Sequence, residues 1–257
     1  MKRISILNFK GGVGKTSIST NSAHKLALMG YKVLLIDCDI QANASDLIPR
    51  KARKTATLTH VLKDEATFED AIQKARENLY LIAADMNLDK AANHIVISGI
   101  KGYKILRNAT KNLTGFDFVI FDHSPFYTAI SESALWASDE MIIPTDLEPF
   151  SVEGILKTIA KLSETLGDLE HEVTITGIVP TKVDQRYRMS DAYYQSLLET
   201  FKDRVIHSIR TDATIKKAQS LGQTVFEYDK SSKAAEDFSR LTDLIVAGAK
   251  QDTRSYG

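Results

Sequence analysis

The chain has 257 residues and a mass of 28.5 kDa, enough for one large domain or for a domain with a modest appendage. Thirty-three basic residues balance thirty-three acidic ones, which argues against a protein held to nucleic acid by bulk charge while leaving room for a local basic patch. The single cysteine, Cys38, excludes a disulfide framework and any cluster that needs several thiolates, and it fits a reducing cytosol. No apolar stretch approaches the roughly 18 residues of a membrane span, and the opening Met1–Ser5, followed by a short apolar run broken at Asn8 and Lys10, does not read as a signal peptide.

Taken in chain order, short β-branched runs alternate with longer helical patterns. Ile4–Phe9, Lys32–Asp37, Leu79–Ala83, Phe116–Asp122, Glu140–Pro144 and Val173–Val179 read as strands. Most are continuously apolar rather than alternating, as expected of strands covered on both faces. Helices are expected over Ser17–Met29, Phe68–Glu77, Gly102–Leu113, Ser131–Trp136, Ser151–Leu166, Ser190–Phe201, Ile215–Leu221 and Lys233–Ala249. This alternation predicts an α/β fold, a doubly wound and mostly parallel sheet with helices on both faces. One domain is expected over residues 1–250, with a short tail at 251–257. Ligands should then bind beyond the carboxyl ends of the strands.

Directly after the first strand stands Lys10-Gly11-Gly12-Val13-Gly14-Lys15-Thr16, followed by Ser17 at the start of a helix. The usual Walker pattern would have a glycine where Phe9 stands, so the loop is a variant that begins with an extra lysine. Its physical logic is intact: glycines let backbone N–H groups close on phosphate oxygens, and the helix N-terminus favours negative charge. Lys15 can reach the outer phosphates and the Thr16 hydroxyl can ligate Mg²⁺. Two strand-end carboxylate positions point the same way, Asp37 with Asp39 at the end of the second strand and Asp122 at the end of another. An acid closing an apolar strand is costly unless a cation meets it. A nucleotide with bound Mg²⁺ is therefore the expected cofactor.

On these residues, and on Ser208–Thr211, Ala218–Gly222 and Tyr228–Ala234, the chain resembles the ParA/MinD group of deviant-Walker P-loop ATPases, on its ParA side. The resemblance implies that the nucleotide is ATP, and it implies roles. Lys10 matches the lysine that crosses to the partner subunit's nucleotide, and Lys15 and Thr16 match the phosphate lysine and the metal-ligating hydroxyl. Asp39 matches the aspartate that orients the attacking water, Asp37 sits near the metal in the first switch, and Asp122 matches the Walker B acid. Gly11, Gly12, Val13, Gly14 and Ser17 complete the nucleotide loop, and the metal set is Thr16, Asp39 and Asp122. Ile40 stands where the family usually has proline, and His123-Ser124 replaces the usual small residue or proline ahead of Pro125. A local hydrogen bond is the preferred reading of His123.

The resemblance implies a homodimer in the ATP state, an adaptor protein that stimulates hydrolysis, and nonspecific binding to double-stranded DNA on the nucleoid. The cargo would be DNA or a protein organelle. Candidate DNA contacts are Arg186, Arg188, Arg210, Lys216, Lys217, Lys230 and Lys233, and a second basic cluster at Arg50, Lys51, Arg53 and Lys54 would face nucleotide, DNA or a partner. The strand that begins almost at Met1 leaves no operator-binding extension to expect. A membrane role is disfavoured because the last helix mixes its apolar face (Phe238, Leu241, Leu244, Ile245) with Glu236, Asp237 and Asp243. The alternative is an ATP-dependent enzyme acting on a small substrate, for which His123, Ser124, Tyr127 and Thr128 would have to converge near the phosphates.

Overall fold

The computed structural model describes residues 1–168, 171–184 and 188–252. Its strands are β1 (Lys2–Ile6), β2 (Val33–Cys38), β3 (Gln73–Arg76), β4 (Leu79–Ile82), β5 (Phe118–His123), β6 (Glu140–Thr145) and β7 (Thr174–Pro180). They form one sheet in the order β3-β4-β2-β5-β1-β6-β7. All pairings are parallel except β3 with β4. The helices, in chain order, are α1 (Lys15–Leu28), α2 (Leu58–Leu62), α3 (Phe68–Ala71), α4 (Leu88–Ile97), α5 (Ile100–Tyr103), α6 (Ile105–Asn112), α7 (Ala129–Trp136), α8 (Ser151–Asp168), α9 (Arg188–Phe201), α10 (Ala213–Ser220), α11 (Val225–Tyr228) and α12 (Lys233–Asp252).

The continuous apolar runs behave as their composition requires. Every residue of β2, β5 and β6 is buried, because helices cover both faces. One apolar layer joins Ile4, Ile6, Leu35 and Ile120 to Ile18 and Leu26 of α1 and to Phe238 and Leu241 of α12. The opposite layer joins Leu34, Ile36 and Phe121 to α2, α4 and α7 through Leu58, Leu88 and Ala134. A third cluster closes the β6–β7 end against Ile155, Leu162 and Leu197. Each such side chain contributes about 1.5–3 kcal/mol on burial. The α12 stripe is thus core packing at Phe238, Leu241 and Ile245, while Leu244 stays half exposed.

Two stretches depart from the sequence expectation. Phe68–Glu77 is not one helix: α3 ends at Ala71 and the chain becomes the edge strand β3, which folds back on β4 through Asn78 at a φ of 58°. Asparagine tolerates that left-handed conformation, and the turn outweighs the helical periodicity. Residues 88–97, which carried no expectation, form α4. It turns into α5 at Gly99, and Gly102 lies so close to it that an added Cβ would sit 2.4 Å from the Ile95 carbonyl oxygen. At the other end of the chain, α12 runs on to Asp252, and the rest of the expected tail lies outside the described residues.

The sheet order reverses about β1, whose neighbours are β5 and β6. A crevice therefore opens beyond its carboxyl end, at the point where the glycine-rich loop leaves the strand.

Candidate functional site

Asn8 starts the loop. Its amide donates to the Pro144 carbonyl at 2.8 Å, and its side-chain oxygen accepts from the Lys10 N–H at 2.9 Å. This explains why the strand stops before Phe9. Gly12 and Gly14 then take φ values of 73° and 89°, a region that side chains resist. Val13 between them is fully buried, and its carbonyl accepts from the Thr181 hydroxyl at 2.9 Å. Anchored at both ends, the loop leaves Gly11 and Gly12 exposed at the head of α1, where phosphate would meet free N–H groups.

The two lysines of the loop part company. Lys15 curls over the loop, is 6% exposed, and donates to the Lys10 carbonyl at 3.0 Å. Burial lowers its pKa, against the opposing charges of Asp122 and Asp39. Lys10 turns away and meets Asp146 and Glu148, both at 2.8 Å. Burial would lower its pKa, but the two carboxylates raise it on balance.

Asp37 and Asp122 lie opposite each other on β2 and β5, and both are fully buried. Burial first, then the neighbouring carboxylate, pushes Asp122 up to about 8, against the Ser19 and Thr16 hydroxyls. Burial likewise raises Asp37 to about 6. Asp37 holds the following loop in place: one oxygen accepts from the Ser45 N–H and hydroxyl at 2.8 and 2.7 Å, the other from the Asp39 N–H at 3.1 Å. Asp39 itself accepts from the Gln41 N–H at 3.0 Å and faces the crevice.

Asp122 Oδ1 accepts from Ser19 at 2.8 Å, whereas its Oδ2 has no hydrogen-bond partner. An orphaned buried carboxylate oxygen beside the Thr16 hydroxyl suits a divalent cation. Among the described residues no group of three or more His, Cys, Asp or Glu could hold a metal unaided. Mg²⁺ fits here in its usual manner, with nucleotide phosphates and water completing the shell.

The crevice is a cavity of about 730 Å³, within the range of small-molecule and cofactor sites. Gly12, Gly14, Lys15, Thr16 and Ser17 form its phosphate end. Ile209, Asp212, Ile215 and Phe238 form the far wall. Lys10 is not among its lining residues.

Several sequence expectations are redirected. Arg210 is no free cation: its guanidinium grips Asp237 at 2.7 and 2.9 Å and Glu236 at 2.6 Å. It ties the loop after β7 to α12. Lys216 lines the nucleotide cavity, whereas Lys217, Lys230 and Lys233 are exposed outside it. Arg186 and the side chain of Arg188 lie outside the described residues. Of the second basic cluster, Arg53 pairs with Asp46 at 2.7 Å and Lys54 donates to the Asp70 carbonyl at 2.9 Å, while Arg50, 4.0 Å from Asp46, and Lys51 are exposed.

The residues that a small-substrate site would need are committed elsewhere. His123 is buried against the Ser5 hydroxyl at 2.8 Å, with burial lowering it to about 3. The Tyr127 hydroxyl meets Thr165, and Thr128 caps α7. Of their segment, Pro125 and Phe126 reach the cavity. The structure adds two residues that the sequence did not single out. Thr181 holds the loop, and Lys182, at a φ of 55°, lines the cavity with its ammonium over Gly12. Their one signal was their place at the carboxyl end of a strand.

A phosphate loop at the switch point of a parallel sheet, opening into a cavity of nucleotide size, defines a P-loop nucleotide hydrolase. Comparison with known proteins narrows the class. A family model described as an AAA domain matches residues 1–175. Soj of Bacillus subtilis, the sporulation initiation inhibitor protein, is 30% identical over 96% of this chain and 98% of its own. Among solved structures, apo Cyanothece McdA superposes with a TM-score of 0.84 at 26% identity, covering 95% of this chain and 99% of that one. MinD of Pyrococcus horikoshii with Mg-ADP gives 0.79 at 26% identity, covering 97% and 98%. The chain belongs to the ParA/MinD family of P-loop ATPases, and its cofactors are ATP and Mg²⁺. Among the described residues no helix is long and apolar enough to cross a membrane.

Proposed function

We propose that the protein is an ATP-gated positioning switch: it dimerises around ATP, binds DNA without sequence preference in that state, and is released when an adaptor stimulates hydrolysis. The observation that carries this reading is the divergence of the two loop lysines. Lys15 lines its own cavity, whereas Lys10 stands outside it, held by Asp146 and Glu148. A cation so placed serves the nucleotide of a second subunit rather than its own. The relatives support the cargo-moving part, since they include Caulobacter vibrioides ParA, described as a chromosome partitioning protein.

In this reading the N–H groups of Gly11–Gly14 and the Lys15 ammonium hold the phosphates. Thr16 and Asp122 take the Mg²⁺ side, and Asp39, with Asp37 fixing its loop, orients the attacking water. Mg²⁺, when bound, neutralises charge on the outer phosphates. Hydrolysis of this kind depends on positioning and charge neutralisation. A charge supplied in trans is worth about 10³–10⁵ in rate in related chemistry, so a monomer should turn over slowly. Such slowness suits a timer that waits for its adaptor.

Light scattering behind size exclusion tests the trans role of Lys10. The Asp39→Ala protein should double in mass with ATP and stay single with ADP. Adding Lys10→Ala should abolish the doubling while leaving nucleotide bound. Dimers that persist without Lys10 would overturn the assignment.

A further inference from the structure

Arg76, at the end of the edge strand β3, reaches three separate parts of the chain. Its guanidinium donates to the Leu47 carbonyl at 2.6 Å and the Gly222 carbonyl at 3.0 Å, and it pairs with Glu227. Leu47 closes the short turn that follows the Asp39 loop, and Gly222 is the bend between α10 and α11. These two backbones already touch: a Cβ at Gly222, where φ is +64°, would lie 2.5 Å from the Asp46 carbonyl oxygen. On the cavity side, the first segment presents Asp39, Gln41 and Asn43, and α10 presents Ile215 and Gln219.

Glu227 carries the connection further. It accepts from the Thr224 N–H at 2.9 Å, and the Thr224 hydroxyl is hydrogen-bonded to His24 on α1, the helix that opens at Lys15. One side chain thus fastens together the water side, the far wall and, through Glu227, the phosphate side of the cavity. A planar guanidinium can serve two carbonyls and a carboxylate at once, whereas a lysine ammonium is a single point charge.

We propose that Arg76 is a positioning residue for ATP hydrolysis, locking the loop that carries Asp39 to the α10 wall so that nucleotide filling the cavity sets both together. The proposal rests on the reading of Asp39 given above. Arg76 touches neither the phosphates nor the water. It acts by making two walls move as one.

Amide hydrogen exchange on the full chain, with and without Mg-ADP, tests the coupling without requiring turnover. In the natural protein, nucleotide should slow exchange in 10–16, 39–48 and 213–223 alike. In Arg76→Lys, which keeps the ion pair with Glu227, 10–16 and 213–223 should still be protected while 39–48 exchanges about tenfold faster than in the natural complex. Gly222→Ala should uncouple the same segments from the other side. Steady-state kinetics supply the second readout: Arg76→Lys should lower kcat about tenfold with KM for ATP within about threefold. Joint protection retained in Arg76→Lys, or an effect confined to Tm, would overturn the proposal. A natural protein whose 39–48 segment ignores nucleotide would overturn the Asp39 reading, and the proposal with it.

Discussion

The phosphate loop and the α10–α12 wall face each other across one cavity, yet their lysines have different fates. In the loop, Gly12 and Gly14 bend the chain and Val13 and Asn8 pin it, so that Lys15 folds over the loop's own backbone while Lys10 is turned the other way to Asp146 and Glu148. On the wall, tertiary packing decides. Arg210 is consumed by Asp237, Lys216 is drawn to the cavity, and Lys217, Lys230 and Lys233 stay in solvent. The lesson is that a cation's chemistry follows from what fixes its neighbours. A short glycine-rich loop fixes its own backbone and Lys15 locally but leaves Lys10 to distant carboxylates, and a helix surface leaves every cation to distant residues.

The largest expected effect lies in the loop. Lys15→Ala should lower kcat/KM for ATP about 10²–10³-fold, as loss of one preorganised charge donor does, measured by phosphate release. Activity within a few fold of the natural protein would remove Lys15 from its assigned place. On the wall, Arg210→Ala should act on stability. It leaves Asp237, which is 1% exposed, with the residue-210 N–H at 2.8 Å and His207 but without its guanidinium, a loss of about 1.5–3 kcal/mol, or about 5 °C in Tm for a chain of this size. Scanning calorimetry checks the shift, and the salt dependence of DNA binding by the folded variant should not move. If the slope falls instead, Arg210 is a phosphate contact after all.

A smaller effect separates the exposed lysines. Lys217→Ala with Lys233→Ala should weaken binding to all duplex sequences alike and reduce the salt slope by about two per subunit. An unchanged slope would place the patch elsewhere. The smallest effect concerns pH. Burial lowers the His24 imidazole below its ordinary value, so the neutral ring contributes stability above about pH 6.5 that is lost as pH falls through that value. Between about pH 7.5 and 5.5 the natural protein should lose more Tm than His24→Gln does. Equal losses would show that His24 titrates as it does in the unfolded chain.

Much of this was legible in the residues, for identifiable reasons. The strands buried on both faces announced themselves as unbroken apolar runs, and the loop from Lys10 to Thr16 carried its geometry in its glycines. What stayed hidden depends on contacts distant in sequence. Nothing near Gln73–Arg76 shows that the segment will pair with β4, since its helical spacing was overruled by one left-handed asparagine. Thr181 and Lys182 join the site only because β7 ends beside β1's loop. Asp146 and Glu148 claim Lys10 across 136 and 138 residues of chain, and Asp237 claims Arg210 in the same way.

Gating of DNA binding by ATP is to be read from fluorescence anisotropy on random duplex DNA at fixed moderate salt. The Asp39→Ala protein, which should hold the ATP state, is compared with ATP, with ADP and without nucleotide. Binding is expected with ATP alone. Equal binding in all three states, or none despite an ATP-dependent dimer, would contradict it.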